Sequence, residues 1–333
     1  MSVAIKRIIL GIVVLAEAGA VLVLGILLLQ ALQKKNNSMR YAARLPRHLY
    51  STRITSDRFP HYFEPEINAI INDQPDWLDY EASYSINADS FNERDDYSVT
   101  KAPGTFRIIT LGDSFTYGLL VNTYENYSER LEDKLNDGRC PETHYDVINL
   151  GVPAYDVGFA AERFKLRGQK YNPDLVIWFM NFFTFLIDAD RKMELETEYL
   201  AKIQDSDLWQ KINGRETYYP GQLAWIQHVG EVPEEMRIMK QVAYFREFLD
   251  SYQGPLLIVV NDVSLWRPLA KNSLEQALLY RDNAGIYPMD PLKSEGELLA
   301  DGHPSVAGHK KIAENIYTYL YSHQLDAGKG VCR

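Results

Sequence analysis

The chain is poor in sulfur and shows no clustered ligands: 333 residues hold two cysteines and seven histidines, with no paired Cys/His spacing. A structural zinc site therefore has nothing to bind it, and no metal or other cofactor is expected. A basic stripe is also missing. Asp and Glu outnumber Lys and Arg by 45 to 35, for a formal charge of −10, so nucleic acid is not an expected partner. The stretch "LGDSFTYG" (111–118) has neither the lysine of a phosphate loop nor the glycine pattern of a dinucleotide fold, which argues against nucleotide binding. There is no internal repeat and no low-complexity tract. What is present, 46% hydrophobic residues, excludes a disordered chain and is enough for one large domain with an insertion.

The first thirty residues differ from the rest. Ile8–Leu29, "IILGIVVLAEAGAVLVLGILLL", contains one ionisable group and would span about 33 Å as a helix. "AEA" at 16–18 could mimic a signal-peptide cleavage site, but the apolar run outlasts the usual h-region, which favours an uncleaved transmembrane anchor over residues 1–33. Glu17 near mid-span, with Ala16, Gly19 and Ala20 beside it, suggests a partner transmembrane helix; a protonated Glu in a lone helix is the equal alternative. Lys6 and Arg7 precede the run, and Lys34, Lys35, Arg40, Arg44 and Arg47 follow it. That balance favours a cytoplasmic domain, although the rule weakens when a long domain follows the first segment.

Residues 34–103 read as a tether and an irregular lead-in, broken by Pro46, Pro60, Pro65, Pro75 and Pro103, with "YSINADSF" (84–91) as its best strand. Four apolar runs of strand length follow: "FRIITL" (106–111), "YDVINLGV" (145–152), "DLVIWFM" (174–180) and "PLLIVV" (255–260). Their continuous hydrophobicity suits strands buried on both faces. Between them Tyr124, Tyr127, Leu131 and Leu135 share a helical face, and Ile312, Ile316 and Leu320 share another behind Ser305 as a cap. The alternation predicts an α/β protein with a doubly wound parallel sheet. The gap from about 182 to 254 exceeds what a crossover needs and predicts a mostly helical insertion. Its Trp209, Tyr218, Tyr219 and Trp225 are expected to fill a local core rather than line a groove.

Ser114 sits where the first apolar run breaks into glycine and turn residues, the place where a parallel sheet displays chemistry. A serine needs a base, and the base needs a carboxylate to fix its tautomer. Six of the seven histidines fall in the lead-in, at a strand start, in the insertion or on the last helix. His303 lies instead in "LLADGHPSVAG", a turn-rich loop directly before that helix, with Asp301 two residues earlier. Both loops should gather on the carboxyl edge of the sheet, although an Asp/His turn that merely caps a helix reads equally well from this segment alone. Asp113 is expected to bond turn amides rather than act in chemistry.

"GDSFTYG" after a strand and "DGHPSVAGH" before the last helix resemble the first and last blocks of the SGNH/GDSL hydrolase superfamily, over roughly residues 104–325. The resemblance implies a flavodoxin-like sheet (the SGNH hydrolase fold, residues 104–333), with Ser114 as nucleophile, His303 as general base and Asp301 as the orienting carboxylate. The sequence departs from the family at three points. "DGH" leaves one residue between acid and histidine where the family has two, so Asp290 is a fallback partner for His303. Ala154 in "NLGVPAYDV" stands where the family's second block has a glycine amide in the oxyanion hole, with Gly151 three residues earlier; alanine serves if its φ/ψ is ordinary. "MNFFTF" offers Asn181 without the family's flanking Gly and Asp. The implied oxyanion donors are thus the Ser114 and Ala154 amides and the Asn181 side chain.

By the same implied strand order, the helices that precede Cys140 and Cys332 would be neighbours, so a disulfide is possible, and two free thiols equally so. Family habit favours an extracytoplasmic domain against the charge count. The leading expectation is a membrane-anchored serine esterase acting on O-acyl groups, acetyl included, of a polysaccharide or lipid. An O-acyltransferase using the same residues and a catalytically silent binding module are the alternatives.

Overall fold

The computed structural model describes residues 52–53, 56–75, 77–137, 142–203, 208–212, 215–293 and 295–323. The Ile8–Leu29 run, Glu17, Cys140 and Cys332 lie outside them. Among the described residues no helix is long and apolar enough to cross a membrane.

The core element is a five-stranded parallel sheet built from β1 (Thr105–Leu111), β2 (His144–Asn149), β3 (Leu175–Met180), β4 (Leu256–Asn261) and β5 (Ala284–Met289), in the order 2-1-3-4-5. That is the flavodoxin order implied above. The continuous apolar runs divide cleanly by parity. Ile108, Val147, Ile177, Phe179 and Val259 face one layer, with α2 (Tyr127–Leu135) and α8 (Val306–His323) packed on it. Ile109, Ile148, Val176, Trp178 and Ile258 face the other, against α3 (Val157–Arg163), α6 (Glu234–Ser251) and α7 (Pro268–Leu278). Successive side chains of a strand point to opposite faces, so only strands covered on both sides can be apolar throughout.

β5 was not expected. "AGIYPM" carries a proline and is only half-buried, as suits an edge strand paired on one side with β4. Tyr124 is a second departure: it lies in a 3-10 turn ahead of α2 and is 57% exposed, while Tyr127, Leu131 and Leu135 are buried as expected. Ser305 caps α8 through its hydroxyl, which accepts from the Gly308 N–H at 3.2 Å. The segment between β3 and β4 holds α4 (Ala189–Leu200), α5 (Tyr219–Glu231) and α6, with a short hairpin, Trp209–Ile212 and Arg215–Tyr218, before α5. Tyr218, Tyr219 and Trp225 are half-buried there, and the Trp209 side chain is outside the description.

The described part of the lead-in is built into the body. Phe59, Tyr62 and Phe63 join the main core, and the fully buried Glu64 pairs with Arg163 at 3.0 Å and Arg167 at 2.8 Å. A buried carboxylate left without such partners would cost several kcal/mol, on the order of 3–5, so this pair fixes how the lead-in docks. Its strand is Ala82–Ile86, earlier than the 84–91 expectation, and it forms a hairpin with Ala69–Asp73.

Candidate active site

β1 ends at Leu111, and the chain turns through Gly112 and Asp113 into α1 (Ser114–Tyr117), one helical turn closed by Gly118 in the left-handed conformation (φ 85). Asp113 Oδ1 accepts from the Phe115 N–H at 3.0 Å, the turn-bonding role expected of it. Two glycines make the turn possible. A Cβ on Gly112 would fall 2.1 Å from Thr116 Oγ1 and 2.9 Å from the Phe179 carbonyl oxygen. One on Gly151, just past β2, would fall 2.3 Å from the Tyr117 nitrogen. The nucleophile turn is thus pressed directly onto the neighbouring loop, and the Asn149 side chain holds it there by donating to the Thr116 carbonyl at 2.8 Å.

The loop before α8 arrives from the opposite end of the chain. The Leu299 N–H donates to the His303 carbonyl at 2.8 Å, and Gly302 (φ 93) makes the bend. Ser114 and His303, 189 residues apart, meet at 2.9 Å between Oγ and Nε2. Asp301 Oδ2 lies 2.7 Å from His303 Nδ1, and its Oδ1 accepts the His303 backbone N–H at 3.0 Å. One residue between acid and histidine is therefore enough, because the carboxylate folds back over its own turn. Asp290, exposed just past β5, is not the partner. The Asp301 side chain is 5% exposed and that of His303 21%, so the base is shielded yet reachable.

Burial alone would lower the His303 pKa, but the Asp301 charge and hydrogen bond, with Asp113 and Asp73 behind them, outweigh it and hold the imidazole above its ordinary value. A base works only when neutral. The acid limb of kcat/KM is accordingly expected above the unperturbed value of about 6.5, which a pH–rate profile of the free enzyme measures; a limb at or below that value would contradict the geometry. In stability terms the raised pKa acts with the opposite sense. The imidazolium's contribution is fully present below the unfolded-state value and is lost as pH rises through the folded one. Asp113 is pushed up by burial, against the Phe115 N–H, His303 and the Asn181 amide, which favour its carboxylate. His309, on α8, is fully buried and pushed down to about 3 by burial, with Arg130 and His303 adding to the effect. It stays neutral, stacked 6.3 Å from the Tyr127 ring, and its ring nitrogens have no hydrogen-bond partner among the described residues, so it does not compete with His303.

The oxyanion donors are less uniform. Neither the Ser114 N–H nor the Ala154 N–H donates to an acceptor among the described residues, so both remain available. The condition set on Ala154, an ordinary φ/ψ, is not met, since its φ is 65; alanine holds this position in left-handed backbone, with its N–H still undonated among the described residues. The Val152–Tyr155 turn, closed by the Tyr155 N–H to the Val152 carbonyl at 3.3 Å, puts Pro153 second and Ala154 third, where glycine is the usual residue. Alanine there carries a conformational penalty of about 1–2 kcal/mol, so Ala154→Gly is expected to raise stability by about 1 kcal/mol, measured by urea unfolding. Asn181 lies immediately after β3 and is buried. Its Nδ2 donates to Asp113 Oδ2 and its Oδ1 accepts the Phe183 N–H at 2.8 Å. One amide hydrogen is therefore engaged in bracing the residue before the nucleophile, which leaves the other for an oxyanion. This Asn181–Asp113 bond is not legible in the sequence, since the two residues are distant in the chain and each has ordinary loop uses.

No family model matches the sequence, and no curated protein matches it. Among solved structures the chain is similar to TesA, at 13% identity and a TM-score of 0.41, over 64% of this chain and 97% of that one. It is similar to a putative lipolytic protein of the G-D-S-L family from Desulfitobacterium hafniense, at 16% identity and a TM-score of 0.38, over 64% and 99%. It is also similar to Axe2, an acetylxylan esterase from Geobacillus stearothermophilus, at 14% identity and a TM-score of 0.41, over 70% and 97%. Likeness this distant carries no argument about chemistry, which is read from the site itself. What the structure itself shows is a 2-1-3-4-5 parallel sheet with a serine after its first strand, in contact with an Asp-x-His loop before its last helix. It is the arrangement implied by the resemblance to the SGNH/GDSL superfamily.

Proposed function

We propose that the protein is a serine esterase of the SGNH/GDSL type that removes O-acyl groups, acetyl included, from a carbohydrate or lipid alcohol. The observation that carries this reading is the relay from Ser114 Oγ to His303 Nε2 at 2.9 Å and from His303 Nδ1 to Asp301 at 2.7 Å. Asp301 keeps the proton on Nδ1, so the Nε2 lone pair faces the serine hydroxyl. His303 takes the hydroxyl proton as Oγ bonds the acyl carbon, and the carbonyl electrons move onto oxygen. The Ser114 and Ala154 amides, with the second Asn181 amide hydrogen, receive that oxyanion. Collapse breaks the ester C–O bond, and His303 passes its proton to the departing alcohol. Water, deprotonated by the same imidazole, then cleaves the acyl-serine and restores the hydroxyl.

The apolar run Ile8–Leu29 supports a membrane-anchored form of this enzyme, and the habit of the superfamily, against the flanking charge count, supports a catalytic domain outside the cytoplasm. Labelling with a fluorophosphonate probe tests the reading. Wild type is expected to label, while Ser114→Ala and His303→Ala are not. Folded wild type that takes no label would leave a silent binding module in place of an enzyme.

A further inference from the structure

α1 is a single helical turn, and a helix that short leaves its last carbonyls without partners of its own. The Ser114 carbonyl accepts the Gly118 and Leu119 N–H groups at 3.1 and 3.0 Å. The carbonyls of Thr116 and Tyr117 are met instead by two buried side-chain amides from elsewhere in the chain. Asn149 Nδ2 donates to the first and Asn92 Nδ2 to the second, each at 2.8 Å. Neither amide is free to turn. Asn149 Oδ1 accepts the Gly151 N–H at 2.9 Å, and Asn92 Oδ1 accepts the Thr123 hydroxyl at 2.6 Å. Turned over, either amide would set its oxygen against a carbonyl.

Asn92 belongs to the lead-in, ahead of residues 104–333, and the two residues after it bind the same region. Glu93, buried as well, accepts the Asn149 backbone N–H through Oε1. The Arg94 N–H donates to Glu129 Oε1 on α2 at 2.7 Å. Three consecutive residues thus reach the nucleophile turn, the end of β2 and the helix that follows. The Glu93 N–H, donating to the Ser85 carbonyl at 3.0 Å, ties all three to the strand Ala82–Ile86. Four helical residues rise about 6 Å, so a shift of about 1 Å at the Tyr117 end tilts α1 by about 10°. The Ser114 hydroxyl and N–H, at the other end, swing with it. Misplacement of that size costs about 10²-fold where reacting groups must align.

We propose that Asn92 is a positioning residue for Ser114: by holding the Tyr117 carbonyl it sets the tilt of α1, and with it the direction of the serine hydroxyl and of its N–H. The proposal rests on the esterase reading and adds the lead-in to the working site.

The test uses the full chain, 4-nitrophenyl acetate and the fluorophosphonate probe. Asn92→Asp keeps the shape of the side chain and the bond from Thr123 but sets an oxygen against the Tyr117 carbonyl, while Asn92→Ala removes both bonds. In each, kcat and the rate of labelling at Ser114 are expected to fall together about 10- to 100-fold, with KM within about twofold of wild type. Labelling carried to completion counts the competent molecules, so kcat is taken per labelled site and unfolded protein drops out. Ser90→Ala is the contrast. Its hydroxyl, also buried in the lead-in, donates to the Pro65 carbonyl at 2.7 Å, and its loss should lower the urea midpoint while leaving kcat per site unchanged. Undiminished kcat per labelled site in the Asn92 variants overturns the proposal and makes Asn92 a purely structural residue. A rise in KM at constant kcat overturns it too, and so does an equal fall in Ser90→Ala, since any loosening of the lead-in would then suffice. Wild type that takes no label and turns over no ester removes the esterase reading first, and this proposal with it.

Discussion

Replacing Ser114 with alanine is expected to lower ester turnover by about 10⁴- to 10⁶-fold, the range seen when a triad nucleophile is lost. The side chain is half-buried and among the described residues makes one hydrogen bond, to His303, so unfolding stability should fall by only about 0.5–1.5 kcal/mol. A structural serine at a strand end would show the reverse, a measurable loss of stability with no specific loss of chemistry. Residual turnover should persist, because the Ser114 N–H belongs to the backbone and survives the substitution, as does the Ala154 N–H. His303→Ala should cost about as much as Ser114→Ala, and the double variant little more than either, since residues that act as one unit are strongly non-additive. Steady-state hydrolysis of 4-nitrophenyl acetate, read beside thermal unfolding, decides the matter. A loss smaller than about tenfold would mean that another group carries the reaction.

The sheet and the candidate pair Ser114 and His303 were legible in the sequence because both depend on local pattern. Strands buried on both faces need unbroken apolar runs, so β1, β3 and β4 stood out within a residue of their ends, and β2 within three. β5 did not, since an edge strand has one partner and can tolerate Pro288 and a half-buried face. Ser114 and His303 could be paired across the chain because a parallel sheet gathers its loops on one edge. Asp301 was harder to judge, as the turn around Gly302 that lets a neighbouring carboxylate fold back onto Nδ1 is a matter of φ and not of composition. The same limit explains Ala154: its residue type suggests ordinary backbone, and only the position behind Pro153 in a closed turn demands φ 65. The lead-in hid most, because its proline-broken polar pattern concealed how far it is built into the body. Glu64 buried between two arginines and a hairpin bonded to Leu120, Asn122 and Thr123 are long-range choices with no periodic signal.

Asp301→Asn is expected to lower kcat by about 10⁴-fold, with little change in the position of the loop, and the reason lies in how Asp301 divides its two oxygens. Oδ1 accepts the His303 backbone N–H and Oδ2 faces Nδ1. An asparagine in that place must give its single carbonyl oxygen to the backbone N–H, which turns its amide nitrogen toward the ring. An N–H aimed at Nδ1 calls for a lone pair there, and the imidazole then carries its proton on Nε2, where it can no longer accept one from Ser114. The lost charge acts in the same variant with a separable signature. Asp301 is what keeps the His303 pKa up against burial, so its removal lets burial prevail and shifts the acid limb of the residual activity to lower pH. A large fall in kcat together with that shift would establish Asp301 as the orienting carboxylate. Asp290→Asn provides the contrast: its side chain lies exposed past β5 and should leave both rate and profile where they were. If the losses exchanged places, with Asp290→Asn crippling and Asp301→Asn mild, the working geometry would have to differ from the 2.7 Å contact seen here.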